Sequence, residues 1–213
     1  MAANDIIARL GGWVGYEVAD GWEEQRGSDR WCVIRLRPVV GIERCCSGCG
    51  ASCALIHDCE ERRVRDLPIF EVAVELIVPR LRVVCVQCGA KLERLAWLEG
   101  YSRTTTRLAG SIARLCQVMS IRHVARFYRL AWTTVKRIDF RHLQQELGAV
   151  ELSDVTVIGM DEFAIQKGHR YATVVVEPAR KRVLWVAVAA GERTCGPSSM
   201  FWDRRAALSC RRS

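Results

Sequence analysis

Two cysteine pairs constrain this chain more than any other feature. Cys46-Ser-Gly-Cys49 is followed 36 residues later by Cys85-Val-Gln-Cys88, and each pair is followed by a glycine, Gly50 and Gly89. Two residues between cysteines let both thiolates of one turn reach the same ion, and the glycine permits the backbone turn that aims amides at sulfur. Two such pairs supply the four-sulfur tetrahedron that zinc prefers. The segment between them is longer than in compact zinc ribbons, so a hairpin within it must return the second pair to the first. The expectation is a structural Zn²⁺ held by Cys46, Cys49, Cys85 and Cys88. Cys45, Cys53, His57 and Cys59 lie close enough in sequence to compete as ligands, while Cys32 and Cys116 read as small buried apolar residues.

Other uses of cysteine fit less well. The total of 11 is odd, and the start, MAANDIIARLGGW, has an acid at Asp5 and no basic residue followed by an apolar block. A secreted disulfide scaffold is therefore not expected, and a reducing cytosol with thiolates used for metal is. A redox CxxC needs one pair inside a thioredoxin-like βαβ pattern, which the sequence lacks. No apolar run approaches the ~20 residues that span a bilayer, so no membrane partner is expected.

The charge is as localised as the cysteines. The formal net charge is +8, and residues 103–142 alone carry nine basic side chains against one acid, Asp139. The first 102 residues hold 13 basic and 15 acidic groups, and residues 143–213 hold 10 and 8, so the flanks nearly cancel. The excess belongs to one block, and it is almost all arginine, whose guanidinium binds oxyanions bidentately. An anionic partner such as DNA follows.

That block has helical periodicity and no proline. Thr104–Thr106 offers hydroxyls for an N-cap, and Leu108, Ile112, Leu115 and Cys116 recur at helical spacing. Ser120 to Asp139 reads as a helix-turn-helix: Ala125 is small where two helices cross, Leu130–Trp132 lies in the turn, and Val135 and Ile138 face the core. Arg122, Arg126, Arg129, Thr133, Thr134, Lys136, Arg137 and Arg141 are the candidate contacts to double-stranded DNA, with the second helix in the major groove. Arg129 departs from the pattern, because such turns often carry glycine.

Strand-like runs flank the block. Before it lie Trp31–Leu36, Ile69–Val78 and Arg80–Cys85; after it lie Val155–Phe163, Tyr171–Val176 and Val183–Ala189. Val157 to Ile165 is an apolar strand with adjacent acids, Asp161 and Glu162. Side chains alternate along a strand, so the two acids cannot address one site. An isolated acid of this kind is more often structural than catalytic.

Taken together, the residues resemble a family. The order of CxxC, His57-Asp-Cys-Glu-Glu-Arg-Arg-Val-Arg-Asp-Leu-Pro68, CxxC, helix-turn-helix and Ile158-Gly-Met-Asp-Glu-Phe-Ala-Ile-Gln-Lys-Gly-His-Arg-Tyr-Ala-Thr173 is similar to the ISL-type insertion-sequence transposases. These are bacterial DDE enzymes with an N-terminal zinc finger. The resemblance implies that Cys46, Cys49, Cys85 and Cys88 bind zinc and that the helical block binds the element's terminal inverted repeats. It also implies that Asp161 is the first catalytic acid, on the opening strand of a ribonuclease-H-like fold. Three carboxylates there hold two Mg²⁺ or Mn²⁺ ions that activate water, then a 3′ hydroxyl, for attack on phosphodiesters.

The expected fold class is α+β and multidomain. It comprises a small β-rich zinc-binding domain over 1–102, a helix-turn-helix domain over 103–150, an incomplete ribonuclease-H-like sheet over 151–190 and a divergent, disordered tail over 191–213. Glu192 and Asp203 in that tail match no family motif. The family needs a second Asp and a late Glu beyond this point, so DNA binding without strand cleavage is expected, alone, as a homo-oligomer or beside a full-length transposase. Two rival readings use the same features. One is a zinc-containing helix-turn-helix regulator with no enzymatic ancestry; the other is a zinc-stabilised protein-interaction module whose arginines only solubilise it.

Overall fold

Strand β6 (Val72–Cys85) organises the N-terminal sheet because apolar side chains occupy both of its faces. In this computed structural model, which describes residues 10–147, 152–166 and 170–189, Val74, Leu76 and Val78 enter a core with Trp13, Tyr16, Ile34, Leu36, Val64, Trp97 and Leu98. Their spacing of two is what a pleated strand requires of residues sharing a face. β6 pairs antiparallel with β5 (Ile56–Ile69) and parallel with β2 (Asp29–Pro38). β1 (Tyr16–Arg26) and β7 (Gly89–Leu92) complete five strands, and β3 (Arg44–Cys45) pairs with β4 (Ser52–Cys53) in a small separate ribbon.

β5 and β6 form the hairpin expected between the cysteine pairs. Phe70 and Glu71 make its tip, with φ of 47° and 69°, the left-handed pair that matches the twist of the flanking strands. The sequence reading differs from this in two ways. Ile69 ends β5 rather than opening the next strand, and the break expected at Pro79 is absent, since β6 runs straight through it. Proline is tolerated there because the β2 pairing stops at Arg35–Ile77 and the β7 pairing begins at Arg82–Leu92. Between them β6 has one strand neighbour, and no ladder bond is lost.

Three helices follow. α1 (Thr106–Cys116) is capped by the Thr105 hydroxyl, which accepts from the Leu108 amide. α2 (Ile121–Tyr128) is capped by Ser120, which accepts from the His123 amide. α3 (Trp132–Leu147) follows after three residues. Leu108, Ile112, Val124, Ala125, Tyr128 and Val135 form their buried core, with Leu67 from the end of β5 packed against it. The residues up to Glu146 make one compact unit and those from Leu147 a second.

The second unit contains β8 (Gly159–Gln166), β9 (Arg170–Glu177) and β10 (Arg182–Ala189), an antiparallel meander with β9 in the middle. All three expected strands are present, the first beginning at Gly159 instead of Val155. The chain is thus mixed α+β and strand-rich. His169 and the 191–213 tail, with Glu192 and Asp203, lie outside the described residues.

Candidate metal and nucleic-acid sites

The hairpin brings the two CxxC turns to one place. The sulfur atoms of Cys46, Cys49, Cys85 and Cys88 all lie within 4.8 Å of one another, and Cys49 and Cys85 are 3.5 Å apart. Four sulfurs at about 2.3 Å from a zinc ion stand roughly 3.8 Å from each other, so the donor set fits that ion in number, type and spacing. Cys46 and Cys85 are buried. The backbone amides of Cys88 and Gln87 hold the Cys85 thiol well below the ordinary range, against the opposing effect of burial, while hydrogen bonding with Cys49 pushes the Cys88 thiol up, so the four sulfurs share their protons unequally until a metal displaces them. Gly50 and Gly89 close the turns at φ of 78° and 70°, the role their positions after each pair implied.

Gly48 is a part of this centre that sequence reasoning passed over. Its amide donates to the Cys46 sulfur at 3.3 Å, and a Cβ added there would stand 3.2 Å from the Cys88 sulfur. A glycine inside CxxC is the signal that was available. Of the rival ligands, Cys53 is buried directly beside the tetrad, packed with Cys46 and Cys85, and its thiol reaches the Ala51 carbonyl at 3.5 Å; His57 lies away from it, bonded to Asp58 at the surface. Cys45 sits in β3 and Cys59 is exposed on β5. Among the described residues, the tetrad is the group of donors close enough to share an ion.

The helical block forms a helix-turn-helix with an ordered turn. Arg129 has φ of 52° and ψ of 48°, the left-handed conformation that a glycine would take without strain. Its amide bonds to the Arg126 carbonyl at 3.2 Å, and the Leu130 amide to the Ala125 carbonyl at 2.9 Å, which ends α2 in a Schellman motif. Contacts to the sheet hold arginine in that strained state. Its guanidinium pairs with Asp29 at 3.2 Å and reaches the Glu71 carbonyl at 3.5 Å.

The expected DNA contacts divide accordingly. Arg122, Arg126, Thr133, Lys136 and Arg137 are exposed, and Thr134 is half-buried. Lys136 lies over the ring of Trp132, 5.1 Å from its centre, at the start of α3. Arg129 and Arg141 already have acidic partners, Asp29 and Glu99. Val135 is buried and Ile138 packs on the same core, as a recognition helix requires.

Asp161 is exposed on β8, and its carboxylate accepts from the Glu162 amide at 2.8 Å. Glu162 instead accepts from the Thr173 hydroxyl on β9, at 3.1 Å.

A model of the helix-turn-helix domain of transposase family ISL3 matches residues 93–143. The chain is 45% identical over 196 residues, 91% of its length, to the transposase for insertion sequence element IS1001 of Bordetella parapertussis, and covers 48% of that protein. It is 27% identical over 185 residues, 85% of its length, to the transposase for insertion sequence element IS1557 of Mycobacterium tuberculosis, covering 40% of it. The chain spans about half the length of the curated relatives it matches, or less. No solved structure matches it.

Proposed function

We propose, for a chain that belongs to the ISL-type family of insertion-sequence transposases, that it binds duplex DNA at the terminal inverted repeats of a bacterial insertion sequence. The carrying observation is the helix-turn-helix itself. Its core face is closed by Val124, Ala125 and Val135, while Arg122 and Arg126 on its first helix and Lys136 and Arg137 on its second remain exposed. Phosphate neutralisation calls for that footprint, and Thr133, Lys136 and Arg137 would reach base edges. A regulator without enzymatic ancestry would leave unexplained the likeness to the IS1001 transposase over 91% of the chain, well beyond the helices.

The zinc centre is assigned a structural role, since four thiolates complete the ion's shell and leave no open position for substrate. Zn²⁺ there would tie the far end of the β5–β6 hairpin to the 46–49 turn. Asp161 is assigned as the first metal-binding carboxylate of a ribonuclease-H-like sheet opened by β8, β9 and β10. Mg²⁺ or Mn²⁺ would supply phosphodiester activation in a complete catalytic domain. One carboxylate cannot hold two metal ions, and with Asp161 alone assigned the chain by itself is proposed to bind without cutting. It would then occupy inverted repeats alone, as a homo-oligomer, or in competition with a full-length relative in the bacterial cytoplasm.

Mobility-shift titration with inverted-repeat duplex tests the reading. Binding that weakens with rising salt and is lost in Lys136→Ala supports it; salt-independent or absent binding overturns it. Cleavage of the same duplex in Mg²⁺ or Mn²⁺ would overturn the non-cutting assignment alone.

A further inference from the structure

A groove of about 860 Å³ lies between the 99–104 loop and one side of α3. Its lining includes Arg103 and Thr104 from the loop, with Thr134, Arg137 and Arg141 from the helix. Three guanidiniums therefore converge on one concave surface. Arg103 and Arg137 have no acidic partner among the described residues, while Arg141 meets Glu99 at 3.2 Å with both side chains more than half exposed.

The position of the groove around α3 identifies what fits it. An α-helix advances about 100° per residue, so Thr133, Arg137 and Gln144 share the side opposite Val135 and Ile138. Thr134 and Arg141 stand about a quarter-turn round from that outward side, toward the groove. When a helix lies in a major groove only about 12 Å wide, its outward face meets the base edges and its flanks meet the phosphates of the bordering strands. The groove is on such a flank. Arg137 stands at its lip, between the two environments.

We propose that this groove is a backbone clamp for one strand of the duplex, in which Arg103 and Arg141 neutralise successive phosphates beside the major groove that holds α3. The proposal rests on the helix-turn-helix reading and adds a residue, Arg103, that precedes the two helices of the motif within the matched region 93–143. Glu99 acts as a built-in competitor: phosphate must displace its carboxylate from Arg141, which trades an exposed ion pair for a contact with DNA. Exposed pairs of this kind contribute little to stability, so the exchange costs the fold little.

Phosphate contacts are sequence-independent, so a short random-sequence duplex labelled for fluorescence anisotropy is a sufficient probe. Arg103→Ala is expected to make the slope of log K against log[salt] shallower by about 0.9, one phosphate's worth of counterions. Arg103→Lys should restore most of that slope, and Glu99→Gln should tighten binding severalfold at low salt. Matching thermal melts across the three variants are expected, which excludes unfolding as the cause. If Lys136→Ala weakens binding while Arg103→Ala keeps the wild-type slope and Glu99→Gln keeps the wild-type affinity, the clamp is overturned and the helix-turn-helix reading stands. If the wild-type chain fails to bind, or Lys136→Ala and Arg122→Ala bind as well as wild type, both fall together.

Discussion

Arg65 donates from Nη2 to the Tyr128 carbonyl at 3.1 Å, joining β5 to the last turn of α2 across 63 residues of chain. The same guanidinium reaches the Arg129 carbonyl at 3.3 Å and lies 4.3 Å from the ring centre of Trp31. Arg26 lies 4.4 Å from the same ring. Burial pushes the Arg65 pKa down, but arginine stays charged. One side chain thus satisfies carbonyls left open at a helix end and anchors that helix to the sheet.

Arg65→Lys is expected to keep the charge and still destabilise the unit, by about 1–2 kcal/mol. A point ammonium cannot lie flat on indole while forking to two carbonyls. Chemical denaturation measures the loss. A lysine variant as stable as wild type would show that the fork is unimportant.

Asp66 is a buried acceptor that Arg65's neighbours surround. It takes hydrogen bonds from Trp13 Nε1 at 2.9 Å, Thr105 Oγ1 at 2.7 Å, Arg107 Nε at 2.7 Å and the Leu67 amide at 2.8 Å. Asp66→Asn replaces an acceptor oxygen by a donor facing other donors, and about 3 kcal/mol of destabilisation is expected. The thermal midpoint should fall sharply, and a shift of under a degree or two would contradict the network.

Much of this was legible in the sequence where spacing alone decides geometry. The CxxC spacing located the tetrad, and helical periodicity located Val135 and Ile138 on the inner face of α3. Less was legible where distant residues decide. Arg129 looked like a poor turn residue because its left-handed backbone is compensated by Asp29 and Glu71, which lie far away in sequence. Pro79 looked like a strand break because the gap between the β2 and β7 pairings cannot be read from the β6 sequence. Arg80 opens an expected strand, and nothing in the sequence marks it as buried, yet it is 1% exposed, donates to the Glu93 and Gly100 carbonyls at 3.4 and 3.3 Å, and has its pKa pushed down by burial. Asp66 lies in the family-like string ending at Pro68, but its burial and its partners were not legible, since its donors come from three separate segments.

Glu75 sets an acid limit on the sheet. Burial raises its pKa, but hydrogen bonds from Arg26 and Arg63 more than offset this and leave it below the ordinary glutamate value. A carboxyl depressed in the folded state contributes fully above its unfolded pKa of about 4.3 and loses that contribution as pH falls through the lower folded value. Stability should therefore drop below about pH 4.3. Glu75→Gln should cost about 2 kcal/mol at neutral pH and flatten that acid limb. An unchanged limb in the variant would assign the acid sensitivity to other carboxylates.

Gly48 separates two ways in which a glycine supports the cysteine turns. Gly50 has φ of 78°, so Gly50→Ala should cost about 1–2 kcal/mol of backbone strain even without metal. Gly48 is not among the positive-φ glycines, and its constraint is crowding: an added Cβ lies 3.2 Å from the Cys88 sulfur and 3.6 Å from the Cys46 sulfur. Gly48→Ala must push the sulfurs apart, and its effect should appear mainly in metal affinity, weakened about tenfold. Cys85→Ser removes a ligand and should abolish stoichiometric zinc and unfold the turns. Chelator competition on the three variants orders them Gly50→Ala, Gly48→Ala, Cys85→Ser from strongest to weakest zinc retention. Wild-type retention in Gly48→Ala would mean that the sulfurs have room to spare, and that the tetrad closes around its ion less tightly than the distances between them require.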